Sequence, residues 1–253
     1  MSVSLPRSVV AALWVGCADE GDSWLSDAVQ AITGTDEPHR TEDDAPLAAL
    51  LDRLSLHRRT GSVTFGALPV PHEPVGLSGP VGVAAMDAGE CVVVDGGASA
   101  GALVAVPDVV AFGSALEPGA MVRWRLHHAR ASIAPASLGE ARRMLAEALV
   151  IAVDALEAMD VARWRPDAAE EIAELASSSV PPEISDQLPP DLDPRRSDLL
   201  VRAARLEAIA ELAMADDGAA VTLFAADQRQ AALRHVASAS RHAMQAASTF
   251  STP

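Results

Sequence analysis

The chain has 253 residues and a formal charge of −16, with no Lys, no Asn and no Tyr, so that all 19 of its Lys-or-Arg positions are Arg. Without Lys there is no Walker-type phosphate loop, no Schiff base and no kinase-type phosphate-holding lysine, and without Asn the kinase catalytic loop and the Cys-His-Asn protease arrangement are excluded as well. A charge of this sign and size repels nucleic acid and anionic membrane over the surface as a whole.

Ala makes up about a fifth of the residues, and Ala and Arg codons are GC-rich while those for Lys, Asn and Tyr are AT-rich. A high-GC bacterial coding bias therefore explains the missing types without functional selection. Half of the chain is apolar but only 3% is aromatic, so its core has to come from Ala, Val, Leu and Ile. Small side chains of this kind favour close helix-to-helix approach. The length suits one large domain or two modest ones and needs neither disulfide nor metal to fold. Cys17 and Cys91 form no CxxC pair, and reduced thiols in a cytoplasmic protein are the expected state.

Residues 1–60 read as helical. Ser8–Ala18 is a short apolar segment, too brief for a signal peptide core and expected to be buried. Asp22 caps a helix carrying Trp24, Leu25, Ala28, Val29 and Ile32 and ending at Gly34, and an acidic loop over Thr35–Asp44 follows. After Pro46 a helix places Leu47, Leu50, Leu51 and Leu54 on one face, and Arg58-Arg59-Thr60-Gly61 closes it with basic residues and Gly.

Over about 61–130 Gly and Pro become dense and short β-branched runs appear at Ser62–Phe65, Cys91–Val94, Leu103–Val106 and Met121–Leu126. These predict a small antiparallel or mixed sheet. Within the last run Val122-Arg123-Trp124-Arg125-Leu126 alternates, as a strand with one buried and one exposed face does. From Ser137 the chain is helical again. Ser137 and Glu140 form a capping box. The helix they open, to about Met159, has only a narrow polar stripe and is expected to be central and mostly buried. A short helix from Asp167 to about Ser177, a Pro-rich loop over 178–194, and two helices near 198–216 and 222–247 complete the chain. The fold class expected is α+β: a helical N-terminal region with a small central sheet in 1–134, and an array of about four helices in 135–253.

Few patterns point to chemistry. Val92–Gly101, VVVDGGASAG, is Gly-rich after a strand, but the residues behind it read as another strand, so a hairpin turn is expected rather than a dinucleotide site. His127 and His128 point to opposite faces of a strand, His72 and Glu73 lack a second ligand at useful spacing, and no metal or cofactor is expected. No G-x-S-x-G elbow or HExxH occurs. Glu170, Glu171 and Glu174 share a turn and read as a solvated acidic face. Arg229, Arg234 and Arg241 on a helix pair invite comparison with DNA binding, against which the net charge and the absence of Lys stand.

The most suggestive feature is Arg234-His235, repeated seven residues later as Arg241-His242, which two turns of helix bring to nearly one side. Residues 136–194 carry thirteen acids against four Arg, whereas residues 195–253 carry six against seven. The strip is therefore cationic on an acidic protein. It can pair with acids of 167–193, or serve an anionic ligand or a protein partner. The function expected is a non-catalytic cytoplasmic interaction or scaffold protein using Arg234, His235, Arg241 and His242. The alternative is a binder of, or enzyme acting on, a small anionic molecule. Neither nucleic acid nor membrane is an expected partner, and so Ala-rich a chain is compatible with homo-oligomerisation.

Overall fold

The computed structural model describes residues 3–18, 23–34, 38–58, 61–114, 118–130, 137–158, 181–215 and 223–252. The chain is α+β and divides into two compact units. The first comprises 5–135 together with 186–193 and 248–253, and the second comprises 1–4, 136–185 and 194–247. The predicted helix from Asp167 and the acids Glu170, Glu171 and Glu174 lie outside the described residues.

In the first unit three helices come early: α1 (Arg7–Cys17), α2 (Ser23–Thr33) and α3 (Leu47–His57). A six-stranded sheet has the order β1-β5-β4-β3-β2-β6. Its strands are β1 (His39–Thr41), β2 (Val63–Ala67), β3 (Cys91–Asp95), β4 (Ala102–Gly113), β5 (Pro118–Ala129) and β6 (Phe250–Ser251). All pairings are antiparallel except β1 on β5, so the sheet is mixed.

Two predicted features are corrected here. The segment read as an acidic loop contains β1, whose His39 and Thr41 are buried; its register beside β5 sets His39 Nδ1 to accept from Trp124 Nε1 at 3.3 Å. The Gly- and Pro-rich stretch between the first two strand runs holds a helix, α4 (Gly79–Ala88). Pro80 stands in its first turn and Gly89 closes it in the left-handed conformation with φ 73°, positions where those residues favour a helix end over a turn.

The sheet is covered on both faces. On one side α4 and Leu77 pack against Phe65, Ala67, Cys91, Val93, Ala102, Val104 and Val106. On the other lies α1, which approaches β2 so closely that a Cβ on Gly66 would stand 2.8 Å from the Val9 Cα. A nine-residue run of α1, Ser8–Gly16, is buried throughout, because the sheet lies on one side and α2 and α3 on the other. The VVVDGGASAG segment is the connection between antiparallel β3 and β4, one helical turn (α5, Gly97–Ala100) closed by the Gly96 N–H donating to the Gly101 carbonyl at 2.9 Å. No helix follows it that could hold a phosphate.

Two later pieces of chain belong to this unit. Residues 186–193 lie over α1, where Trp14 Nε1 donates to the Gln187 carbonyl at 2.9 Å. Residues 248–252 add β6 beside β2, with Gly66 N–H donating to Ser248 Oγ at 3.1 Å and the Phe250 ring filling the space that a side chain on Gly16 would take.

The second unit holds α6 (Leu138–Ala158), the single turn α7 (Pro182–Ser185), α8 (Pro194–Ala215) and α9 (Leu223–Ala247). The Glu140 N–H donates to Ser137 Oγ at 3.3 Å, one half of the expected capping box. The Pro-rich stretch is interrupted by α7, so it is not extended throughout. Small residues form the contact among the long helices, Ala152, Ala210, Ala232, Val236 and Ala237. α6 is not the mostly buried helix its composition predicts. Ala141, Leu145, Ala148 and Ala152 face inward, but Val150 and Ile151 are exposed. Neighbours sufficient for one stripe leave the remaining apolar residues in water.

Candidate functional site

α9 carries all four residues of the predicted strip, and it treats the two halves differently. Arg234 and His235 are exposed, while the adjacent Leu233, Val236 and Ala237 are buried against the other helices. Arg241 and His242 are partly buried. The Arg241 Nη1 lies 3.7 Å from Glu207 Oε1 on α8, and His242 Nδ1 makes a 2.9 Å hydrogen bond to the Ser238 carbonyl one turn back. Heptad spacing keeps both pairs on one side of the helix, but in the C-terminal pair Arg241 meets Glu207 of α8 and His242 bonds back within α9. Glu207, an acid that meets Arg241, comes from α8, and most of the acids of 167–193 lie outside the described residues. Sequence reasoning missed Glu207 because the pairing depends on how the antiparallel helices are aligned across the turn between them.

Burial pushes the Glu207 carboxyl up to about 7, with Arg241 pulling it down and Glu211 pushing it further up. The Arg241–Glu207 pair is thus a partly shielded, structural contact. Arg229, considered above for phosphate binding, is buried, and its Nη2 donates to the Ala213 carbonyl at the end of α8 over 2.9 Å. It is not available to a nucleic acid.

Two grooves accompany these residues. In the second unit Arg142, Arg143 and Arg202 line one of about 450 Å³ with Leu145, Ala146, Asp198 and Leu199. All three Arg are exposed, and Arg143 pairs with Glu147 at 2.7 Å, four residues along α6. In the first unit a groove of about 720 Å³ runs between α4 and β4. Four of its charges are arranged in pairs, Arg7 with Glu90 at 3.7 Å and Arg125 with Asp108, and Asp87 of α4 lines it as well. Glu90 also accepts the Ser8 N–H at 2.7 Å, supplying an anion to the first turn of α1, where Pro6 provides no side-chain cap.

Among the described residues no group of three or more His, Cys, Asp or Glu converges to hold a metal ion. His127 and His128 register with consecutive β4 residues, Val104 and Leu103, and so lie on opposite faces. Neither cysteine is in a disulfide, and burial beside Glu90 raises the Cys91 thiol to about 12, which removes it as a nucleophile at neutral pH. No described helix is long and apolar enough to cross a membrane.

Residues 8–138 match the family described as Rv1486c-like protein, N-terminal domain, and residues 139–245 match Rv1486c-like protein, C-terminal domain. Neither description names an activity. No curated protein and no solved structure matches.

Proposed function

The chain belongs to the Rv1486c-like family, and we propose that it is a non-catalytic cytoplasmic interaction or scaffold protein whose C-terminal helical unit offers Arg234 and His235 to a protein partner. One observation carries the reading: on α9 the cationic pair 234–235 is exposed between buried apolar neighbours, while the pair 241–242 is engaged by Glu207 and the Ser238 carbonyl. Ionic groups that face inward are used to build the unit, and those left outward form a surface suited to an acidic partner on an otherwise acidic molecule.

Partner capture from the protein's own cell extract, read by mass spectrometry, tests this. Wild-type bait is expected to retain a partner that Arg234→Glu loses, with helical content unchanged by circular dichroism. Arg241 is the wrong site for the test, since reversing it places two like charges against each other in a shielded contact. Identical recoveries with wild type and Arg234→Glu would remove the support for this reading.

A second reading, binding of a small anion, is favoured by the 450 Å³ groove in which Arg142 and Arg202 are exposed beside Arg143. Calorimetric titration with inorganic phosphate and with a dicarboxylate is then expected to give saturable heat that the Arg142→Ala/Arg202→Ala variant abolishes. Absence of heat with wild type at millimolar anion counts against it.

A further inference from the structure

Among the described residues the outer half of β4 is an open strand edge. β3 pairs with β4 only from Ala102 to Ala105, whereas β5 stays paired along its other side out to Gly113. Among the described residues no strand occupies the β3 side of β4 beyond Ala105. The β4–β5 hairpin therefore extends past the end of β3 as an arm, with β1 still beside β5 at 122–124 and a two-stranded tip from Val110 outward, and the burial of β4 falls from complete at its base to exposed at its tip.

Natural sheets protect such an edge with charge, Pro, a bulge or a covering element. This one is protected by little. Pro107 stands where the β3 pairing has just ended, and beyond it the strand reads Asp108-Val-Val-Ala-Phe112-Gly113. Its one charge, Asp108, is already matched by Arg125. Val109 is 53% and Phe112 50% exposed, and the Phe112 ring stacks over Gly119 on β5 without being buried by it. The groove of about 720 Å³ flanks this edge, with Val83 of α4, 54% exposed, on its opposite wall. A helix on one side and an unpaired strand edge on the other form a slot for an added β-strand, in which main-chain hydrogen bonds give affinity and alternate side chains give specificity.

We propose that the strand occupying this slot is β4 of a second copy of the chain, the two arms lying antiparallel about a two-fold axis near Val110 so that each fills the other's groove. Three features select a second copy over another protein's peptide. The unpaired stretch, 106–113, is bounded by the end of β3 pairing and by the tip of the arm, so the segment seeking a partner and the vacancy beside it have the same length. An antiparallel pair of identical strands is self-complementary, as an isologous interface requires. The charge distribution agrees: a molecule of net charge −16 repels its own copies over most of its surface, whereas 109–113 of β4 and 118–122 of β5, the outer part of the hairpin, contain no charged residue. The surface is distinct from Arg234 and His235, and the proposal is independent of the partner reading above.

Sedimentation velocity of the full chain across a concentration series tests it. Wild type is expected to be a dimer with micromolar Kd or tighter. Val109→Lys and Phe112→Glu are each expected to weaken the dimer roughly 30-fold or more, the scale of a disrupted interface hot spot. Both residues are exposed in the single chain, so circular dichroism and thermal unfolding of the dissociated variants should stay close to wild type. Single cysteines at 109, 110 and 111 in a Cys17→Ser background are expected to form an oxidation-dependent cross-linked dimer, most efficiently at the position nearest the axis. A wild type that is monomeric at about 100 µM overturns the proposal. So does a dimer whose Kd neither substitution moves, or one that none of the three cysteines cross-links.

Discussion

Arg58, Arg196 and Arg229 each donate to main-chain carbonyls at the end of a helix other than their own. Arg58 reaches Val15 and Ala18 at the end of α1, Arg196 reaches Ala247 at the end of α9, and Arg229 reaches Ala213 at the end of α8. The last carbonyls of a helix have no partner within it and carry the negative end of its dipole, so a long cationic donor serves both needs at once. In a chain with neither Lys nor Asn, Arg takes over this work. Arg229→Ala is expected to leave the Ala213 carbonyl unpaired and to lower stability by about 1–3 kcal/mol, measured by urea unfolding. Glu207 makes a prediction of opposite character. Its folded-state value of about 7 lies above the 4.5 of an ordinary Glu, so the native state holds this proton more tightly than the unfolded chain does. Its contribution is complete below about pH 4.5 and is lost as pH rises through 7, an effect of up to about 3 kcal/mol. Denaturant midpoints are expected to fall across that window in wild type and to show a shallower fall in Glu207→Gln.

At the scale of elements, α1 and β2 meet where two backbones come into contact. Gly66 has no side chain to separate them, and a Cβ there would lie 2.9 Å from the Ser8 carbonyl oxygen as well as 2.8 Å from the Val9 Cα. Backbone cannot yield as a flexible side chain does, so Gly66→Ala is expected to cost about 1–3 kcal/mol, read as a lower thermal midpoint. Several elements could be read from local pattern. The alternation Val122-Arg123-Trp124-Arg125 gives buried Val122 and Trp124 with exposed Arg123 and Arg125, and the leucine spacing of α3 gives four buried residues. α4 could not be read in this way: Gly79, Pro80 and Gly82 dominate its first turn, and Gly82 is required there because a Cβ would meet the Leu77 carbonyl oxygen at 2.8 Å. β1 escaped for a different reason. Three residues, His39-Arg40-Thr41, are too few to show a period, and the strand exists because β5 provides a ladder for it.

For the molecule as a whole, the order of residues along the chain is not the order of the units. Residues 186–193 and 248–253 come after α6 in sequence but complete the first unit. Residues 1–135 expressed alone are therefore expected to lack the Gln187 acceptor for Trp14, the Phe250 ring beside Gly16 and the β6 strand on β2. Weaker near-UV circular dichroism and greater dye binding than the full chain shows are the expected result. Adding the peptide 248–253 back in cis, through a flexible linker, should recover part of the difference. Full native signals from residues 1–135 alone would show that these late segments add nothing to the unit's stability.

What the amino-acid order decided by itself is the class of the fold, most of its helices, and the classes of chemistry closed to it. These rest on composition and on periodicities within ten or twenty neighbouring residues, which act before any distant contact forms. The cationic repeat on α9 was legible in the same way, since seven residues of helix bring like to like. Its division into an exposed half and an engaged half was decided only by the tertiary structure. Glu207 and Arg241 meet through the alignment of two antiparallel helices, and Arg234 and His235 stay exposed while Arg241 and His242 are partly buried. The extent of pairing between β3 and β4 arose in the same way. A strand's own sequence can show that it will pair, but the length of its neighbour β3 determines how much of it β3 covers.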